Sequence, residues 1–120
     1  MILFAKILIG LIAVIHLYIL WFEMFAWTTR GPKVFKSFPK ELFPQTTALA
    51  ANQGLYNGFL AAGLLWTFFI ENAEWYTNVA TFFLACIAIA GIYGAFTAEK
   101  KILFVQTVPA VIALVLLYLG

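Results

Sequence analysis

The first long stretch of the chain is almost free of charge. Residues 2–28 contain two charged side chains, Lys6 and Glu23, and one histidine, His16. About 20 consecutive apolar residues are enough to cross the hydrocarbon core of a bilayer. The whole chain has 120 residues, of which 65% are hydrophobic and only 10% charged, and soluble globular domains do not have this composition. The sequence therefore predicts an integral membrane protein with a single domain, residues 1–120.

Three further apolar stretches follow, and we expect each to form a transmembrane helix: 47–70, 79–98 and 102–119. The predicted fold is thus all-α, a bundle of four transmembrane helices. The intervening loop 29–46 carries four basic side chains against one glutamate, and its three prolines exclude a long helix. Basic loops stay in the cytoplasm. This rule places the loop and the basic turn at 99–101 in the cytoplasm, and both termini on the non-cytoplasmic side.

A polar run interrupts the second apolar stretch, with the sequence Asn52-Gln53-Gly54-Leu55-Tyr56-Asn57-Gly58. Each unsatisfied amide in hydrocarbon costs several kcal/mol, so these side chains must meet other polar groups or water. At about 100° per residue, the polar side chains share one helix face and the small residues share the opposite face. We expect the polar face to line a site and the small-residue face to pack on another helix.

Polar residues of other spans are expected at matching depths. A helix advances about 1.5 Å per residue, which puts Asn57 near the depth of His16 and the start of the polar run near Glu23. Gln106 of the fourth span falls to the cytoplasmic side of the membrane centre. We infer a pocket that opens to the cytoplasm, lined by spans one, two and four and backed by span three. Its predicted ligand-binding residues are His16, Glu23, Asn52, Gln53, Tyr56, Asn57 and Gln106.

Glu23 and His16 are the candidate catalytic or proton-handling groups. An ionised carboxylate is costly in a membrane, so Glu23 would pair, meet water or stay protonated, unless it reaches the headgroup layer. His16 can donate and accept protons. It can equally hold helices together through a bond to Asn57 or to a backbone carbonyl. The sequence leaves both interpretations open.

Several other classes of site are not expected. One histidine, the single Cys86 and the absence of aspartate argue against a metal site, and no cofactor is predicted. The net charge of +2 is too small to indicate nucleic acid binding. Pro109 removes a helical hydrogen bond to the carbonyl of Val105 and predicts a kink in the fourth span. Trp21 lies deeper than interfacial tryptophans usually do.

Two stretches, residues 16–27 and 51–66, resemble the bacterial membrane family described as domain of unknown function 1304. The histidine-to-glutamate spacing and the asparagine-glutamine-glycine run carry the likeness, which covers essentially the whole length. It implies a four-span, multi-pass protein of the bacterial inner membrane with no established activity. The polar residues of the family pattern are all present here: His16, Glu23, Asn52, Gln53, Tyr56 and Asn57.

Three functions fit these residues. In the first, the protein binds or transports a small molecule with proton coupling at Glu23 and His16, and four short helices would need a homodimer for transport. In the second, it is an enzyme that acts on a lipid-soluble substrate such as a quinone or isoprenoid, with His16 and Glu23 as an acid-base pair. In the third, the polar groups form a purely structural network. The expected partners are the lipid bilayer, a small-molecule or lipid-like ligand and a second copy.

Overall fold

The computed structural model describes residues 2–119. Of these residues, 87% are helical and none forms a strand, so the all-α class is confirmed. Within this range there are five α-helices: α1 (Ile2–Phe25), α2 (Trp27–Val34), α3 (Thr47–Thr67), α4 (Ala73–Thr97) and α5 (Val108–Leu119). Two 3₁₀ turns, Lys40–Leu42 and Pro44–Thr46, connect α2 to α3, and a π-helical segment, Leu103–Thr107, leads into α5.

Two of these helices, α1 and α4, are long and apolar enough to cross a membrane. The stretch Leu103–Leu119 is apolar but shorter. Helix α3 has 21 residues and carries the polar run, which lowers its apolar content. By length and composition, the described residues therefore contain two candidate membrane-spanning helices.

The core lies between the long helices and is rich in small residues. Helix α1 packs most extensively on α3, and α5 packs on both α1 and α4. Side chains of one or a few carbons let helix backbones approach closely. The fully buried core residues combine alanines with a few large aliphatic side chains: Ala5, Ile9, Ala13, Ala61, Leu64, Ala80, Leu84, Ile87, Ala110 and Ala113.

Several helix ends differ from the bounds expected from the sequence. Helix α3 ends at Thr67 and not at residue 70, and α5 begins at Val108, after a π-helical segment, and not at residue 102. Helix α1 ends at Phe25, because Ala26 leaves helical geometry with φ −128° and ψ 18°, and α2 begins immediately after it. Helix α4 begins at Ala73, before the span expected from residue 79. The side chain of Asn72 caps it by accepting a hydrogen bond from the N–H of Trp75 at 3.0 Å. The helix therefore projects beyond the predicted span.

The basic loop folds back on the bundle around Trp27. The Trp27 ring centroid lies 4.9 Å from that of Phe43 and 5.7 Å from that of Phe22. Its indole N–H donates to the Thr46 hydroxyl at 2.9 Å. Phe43 is 1% exposed, and its ring fills the space where a side chain at Gly31 would lie. The aromatic side chains of this loop thus form a folded cap over the bundle.

Candidate functional site

Helices α1 and α3 approach closely at two glycines, Gly54 and Gly58. A Cβ at Gly54 would lie 2.8 Å from Cγ of Met24 and 3.1 Å from the carbonyl oxygen of Leu20. A Cβ at Gly58 would overlap the side chain of Leu20. A side chain at Gly54 would meet the backbone of α1, and one at Gly58 would require Leu20 to move, so these contacts fix the register of α3 along α1.

This register brings Asn57 against Glu23. The Asn57 side-chain amide donates to Oε1 of Glu23 at 2.8 Å and to the carbonyl of Gln53 at 3.1 Å. Each of the paired side chains is 8% exposed. The second carboxylate oxygen of Glu23 has no hydrogen-bond partner among residues 2–119. Glu23 is therefore held in place through one oxygen and keeps the other for a further partner.

His16 makes a second polar pair in the middle of α1. Its Nδ1 lies 2.9 Å from the carbonyl oxygen of Ile12, and because a carbonyl only accepts, Nδ1 carries the proton. Its Nε2 lies 3.1 Å from the side-chain nitrogen of Gln106 and accepts from it in the neutral ring. The imidazole is fully buried. Both ring nitrogens are thus occupied, and the geometry assigns the neutral tautomer with the proton on Nδ1.

The π-helical segment Leu103–Thr107 directs Gln106 towards His16. The backbone N–H of Val108, the residue after this segment, donates to the carbonyl of Leu103, five residues earlier. The next residue, Pro109, has no backbone N–H. This wider turn buries both Gln106 and Thr107. The Thr107 hydroxyl donates to the carbonyl of Ala88 on α4 at 2.8 Å. The distortion expected at the proline is therefore a π turn that points consecutive side chains at different helices.

The π-helical segment rests directly on the backbone of α4 at Gly91. A Cβ at Gly91 would lie 2.8 Å from the backbone nitrogen of Thr107 and 2.9 Å from Cβ of Gln106. Neither contact involves the flexible end of a long side chain. Glycine is thus required at this position for the two segments to touch.

A cleft of about 910 Å³ opens between the α1–α3 pair and α4 with its following π segment. Polar groups from three elements line it: Glu23, Gln53, Tyr56, Asn57 and Gln106. Six aromatic side chains form part of the remaining wall, together with aliphatic and small residues: Tyr18, Phe22, Trp27, Phe35, Phe38 and Tyr93. The cleft thus combines an aromatic surface with one carboxylate and several amides in its deeper part.

The edge of the cleft is formed by the two basic segments. Val34, Phe35 and Phe38 line it from the loop, and Glu99 and Lys101 line it from the turn after α4. The Lys101 ammonium donates to the carbonyl of Val34 and lies 5.1 Å from the ring centroid of Phe35. It is also 4.0 Å from a carboxylate oxygen of Glu99. One lysine therefore ties both basic segments together.

The structure brings together most of the residues singled out in the sequence. Five of the seven predicted ligand-binding residues line the cleft: Glu23, Gln53, Tyr56, Asn57 and Gln106. His16 lies behind Gln106 and does not line it. Asn52 is exposed on α3 and does not line it either. The binding roles of all seven residues stay predictions.

Within residues 2–119, no three histidine, cysteine, aspartate or glutamate side chains come together as a metal-binding group. Cys86 is partly buried on α4, and its thiol is free. The polar groups of the cleft are carboxylate, amide and phenol oxygens, which suit hydrogen-bonded organic ligands.

The sequence matches a known family over most of its length. The family described as protein of unknown function (DUF1304) matches residues 10–118. The chain belongs to this family. The resemblance drawn from residues 16–27 and 51–66 is thereby confirmed. A protein of Lactococcus lactis subsp. lactis (strain IL1403), named uncharacterized protein YpaA, is 32% identical over 107 residues, which cover 88% of each chain. No solved structure matches the chain.

Sequence reasoning on this DUF1304 chain missed the residues at the edge of the cleft. Lys101 and Glu99 were assigned only to a basic turn, and Trp27 only to the end of a span. The sequence pattern nearest to this edge is the interleaving of phenylalanines with lysines in loop 29–46. That pattern is also typical of a segment at the membrane surface, so it did not indicate contact with a distant lysine.

Proposed function

We propose that the protein is a four-span inner-membrane protein whose cleft binds a small organic cation with an aromatic or otherwise apolar body. The observation that carries this proposal is the Glu23 carboxylate. One of its oxygens is held by Asn57, and the other is left without a protein partner among residues 2–119, within an aromatic cleft.

The outward-facing side chains support a membrane location. In the most apolar 18-residue windows of α1 and α4, only 28% of the residues are buried, whereas the core helix of a soluble protein is mostly buried. Large apolar side chains of α1 point outward at more than half of their full exposure: Leu3, Phe4, Ile7, Leu11 and Val14. The bundle is 48 Å long, close to the roughly 40–45 Å of a bilayer with its headgroups.

The basic segments support a cytoplasmic position for one end of the bundle. The contact of Lys101 with Val34 joins the loop after α1 to the turn after α4. The glutamates Glu71 and Glu74 lie in the α3–α4 connection and the first turn of α4, towards the opposite end. With the positive-inside rule, this charge separation favours both termini outside and a cleft that opens near the cytoplasmic surface.

The lining of the cleft favours a cationic ligand. Cations bind the faces of aromatic rings, and this attraction is stronger where water is excluded. Glu23 would supply the counter-charge at the inner end, while Asn57 and Gln106 offer amide groups for hydrogen bonds. Lys101 is already engaged by Val34, Phe35 and Glu99 at the outer edge.

Proton coupling follows if the cation and a proton compete for Glu23. Only the ionised carboxylate attracts a cation strongly, so cation binding would release a proton that Glu23 carried beforehand. The other titratable groups that line the cleft are Glu99, Lys101 and the tyrosines Tyr18, Tyr56 and Tyr93. Transport by this exchange would need a homodimer, because four short helices enclose the cleft thinly.

The enzymatic alternative has less support. A general acid or base must come within hydrogen-bond reach of the reacting group. His16 is fully buried behind Gln106, and both of its nitrogens have protein partners. The geometry favours His16 as a tie between α1 and the π-helical segment.

Binding of tetraphenylphosphonium to the detergent-purified protein tests the proposal by calorimetry. Glu23→Gln keeps the acceptor for Asn57 and removes the charge, so we expect at least about tenfold weaker binding. Glu71→Gln removes the same charge from an exposed position outside the cleft and serves as the matched control. Unchanged binding by Glu23→Gln would overturn the proposal. Binding without proton release in weakly buffered solution would overturn the coupling alone.

A further inference from the structure

Arg30 reaches back from α2 to the flank of α1. Its Nε donates to the hydroxyl of Tyr18 at 3.1 Å, and its guanidinium carbon lies 5.8 Å from the centre of the same ring. Tyr18 precedes the last residue of α1, Phe25, by seven positions, or about 10 Å along the helix. The guanidinium is therefore held beside α1, about 10 Å before the end of this helix.

This guanidinium has unused donors. An arginine has five N–H groups, and Arg30 gives one of them to Tyr18. No aspartate or glutamate within residues 2–119 forms an ion pair with it. Its side chain is exposed, and the four donors on its terminal nitrogens make no hydrogen bond within residues 2–119. A planar fork of this kind binds phosphate oxygens in pairs.

Trp21 completes the surface. Its ring centroid lies 5.8 Å from that of Tyr18, and both side chains are 45% exposed. Tryptophan and tyrosine favour the level of the lipid glycerol and headgroup region, where an apolar ring and a polar group are both satisfied. Trp21 lies deeper in its span than interfacial tryptophans usually do. It lies at about the same level as Arg30, which Tyr18 holds in place.

We propose that Tyr18, Trp21 and Arg30 bind the headgroup of one anionic phospholipid. Arg30 binds the phosphate, and the two rings pack against the glycerol and the upper acyl chains. Lys33 follows Arg30 on α2 and is exposed, so the local charge repels the cationic group of a zwitterionic lipid. The proposal rests on the membrane location proposed above. Tyr18 also lines the cleft, whereas Trp21 and Arg30 do not.

Titration of the detergent-solubilised protein with dioleoylphosphatidylglycerol or dioleoylphosphatidylcholine, followed by native mass spectrometry, tests this site. We expect Arg30→Gln to bind the first phosphatidylglycerol about tenfold more weakly, because a charge-assisted contact is lost. Tyr18→Phe keeps the ring but loses the hydroxyl that holds Arg30, and an intermediate loss is expected. The control Lys36→Gln removes one exposed charge from the same loop and should change binding by less than about twofold.

Three outcomes would overturn the proposal. Equal losses in Arg30→Gln and Lys36→Gln would mean a diffuse electrostatic attraction to the whole basic end. Equal affinity for the two lipids would exclude selection by charge. Displacement of the lipid by millimolar inorganic phosphate would assign the site to free phosphate. Arg30→Gln should bind tetraphenylphosphonium as the unmodified protein does, so failure here is distinguishable from failure of the cleft proposal.

Discussion

Replacing Gly91 by alanine should destabilise the protein through a single added methyl group. That methyl would lie 2.8 Å from the Thr107 nitrogen and 2.9 Å from Cβ of Gln106, and it would overlap the Thr107 hydroxyl. Overpacking of this kind costs about 1–3 kcal/mol. Loss of the bond from Thr107 to Ala88 adds about 1 kcal/mol. Alanine recovers about 0.8–1.0 kcal/mol through its higher helix propensity. We therefore expect a net loss of about 1–3 kcal/mol.

Reversible unfolding in mixed micelles, titrated with sodium dodecyl sulfate and followed by circular dichroism, measures this difference. Gly10→Ala is the matched control, because its Cβ would meet only Cζ of Phe68 at an ordinary 3.6 Å. We expect this control to be neutral or slightly stabilising. If Gly91→Ala is as stable as Gly10→Ala, the π-helical segment does not rest on α4 and the reasoning is refuted.

Two further predictions concern the buried polar pairs. A double-mutant cycle with His16→Phe and Gln106→Leu, measured by unfolding in the same mixed micelles, should give a coupling free energy of about 0.6 kcal/mol and at most about 1.7 kcal/mol. Additive effects of the two substitutions would contradict the hydrogen bond between Gln106 and His16. Asn57→Leu should lower the free energy of unfolding by about 1–3 kcal/mol because Glu23 loses its partner, whereas Asn52→Leu, at an exposed position, should change it by less than about 0.5 kcal/mol. Equal effects of the two asparagine variants in thermal unfolding would argue against the pairing with Glu23.

The helices and their polar meeting place could be predicted from the sequence. Long apolar stretches favour helices, because a backbone in an apolar environment must satisfy its own hydrogen bonds. The same rule predicts that polar side chains in those helices meet one another. Glu23, Asn57 and Gln106 do line one cleft. These inferences need only the composition of each stretch and an approximate depth.

The individual partners could not be predicted from depth alone. Counting residues from the middle of each span put Asn57 opposite His16, but Asn57 bonds to Glu23, about two helical turns further along α1. The register is set by the contacts of Gly54 and Gly58 with α1, and these depend on the shape of both helices. His16 then bonds to Gln106. A helix pair is positioned by its closest contact, which no single stretch of sequence contains.

The π turn and the folded loop also depend on distant residues. Pro109 removes one hydrogen bond, but a bend and a widened turn both accommodate that loss. The widened turn found here brings Thr107 and Gln106 against Gly91 of α4, a residue far away in the sequence. In the loop, lysines and prolines suggest a membrane-surface segment, while the burial of Phe43 requires the space left by Gly31 and the ring of Trp27.

Gln106 and Thr107 are consecutive residues, yet they bond to different helices, the first to His16 of α1 and the second to a carbonyl of α4. Rotating the π-helical segment together with α5 about the helix axis by one residue would break both bonds at once. The π-helical segment at the start of α5 is therefore held against both α1 and α4. At the edge of the cleft, the segment 34–38 is held by the ammonium group of Lys101 and by the packing of Phe35 and Phe38 on Trp27.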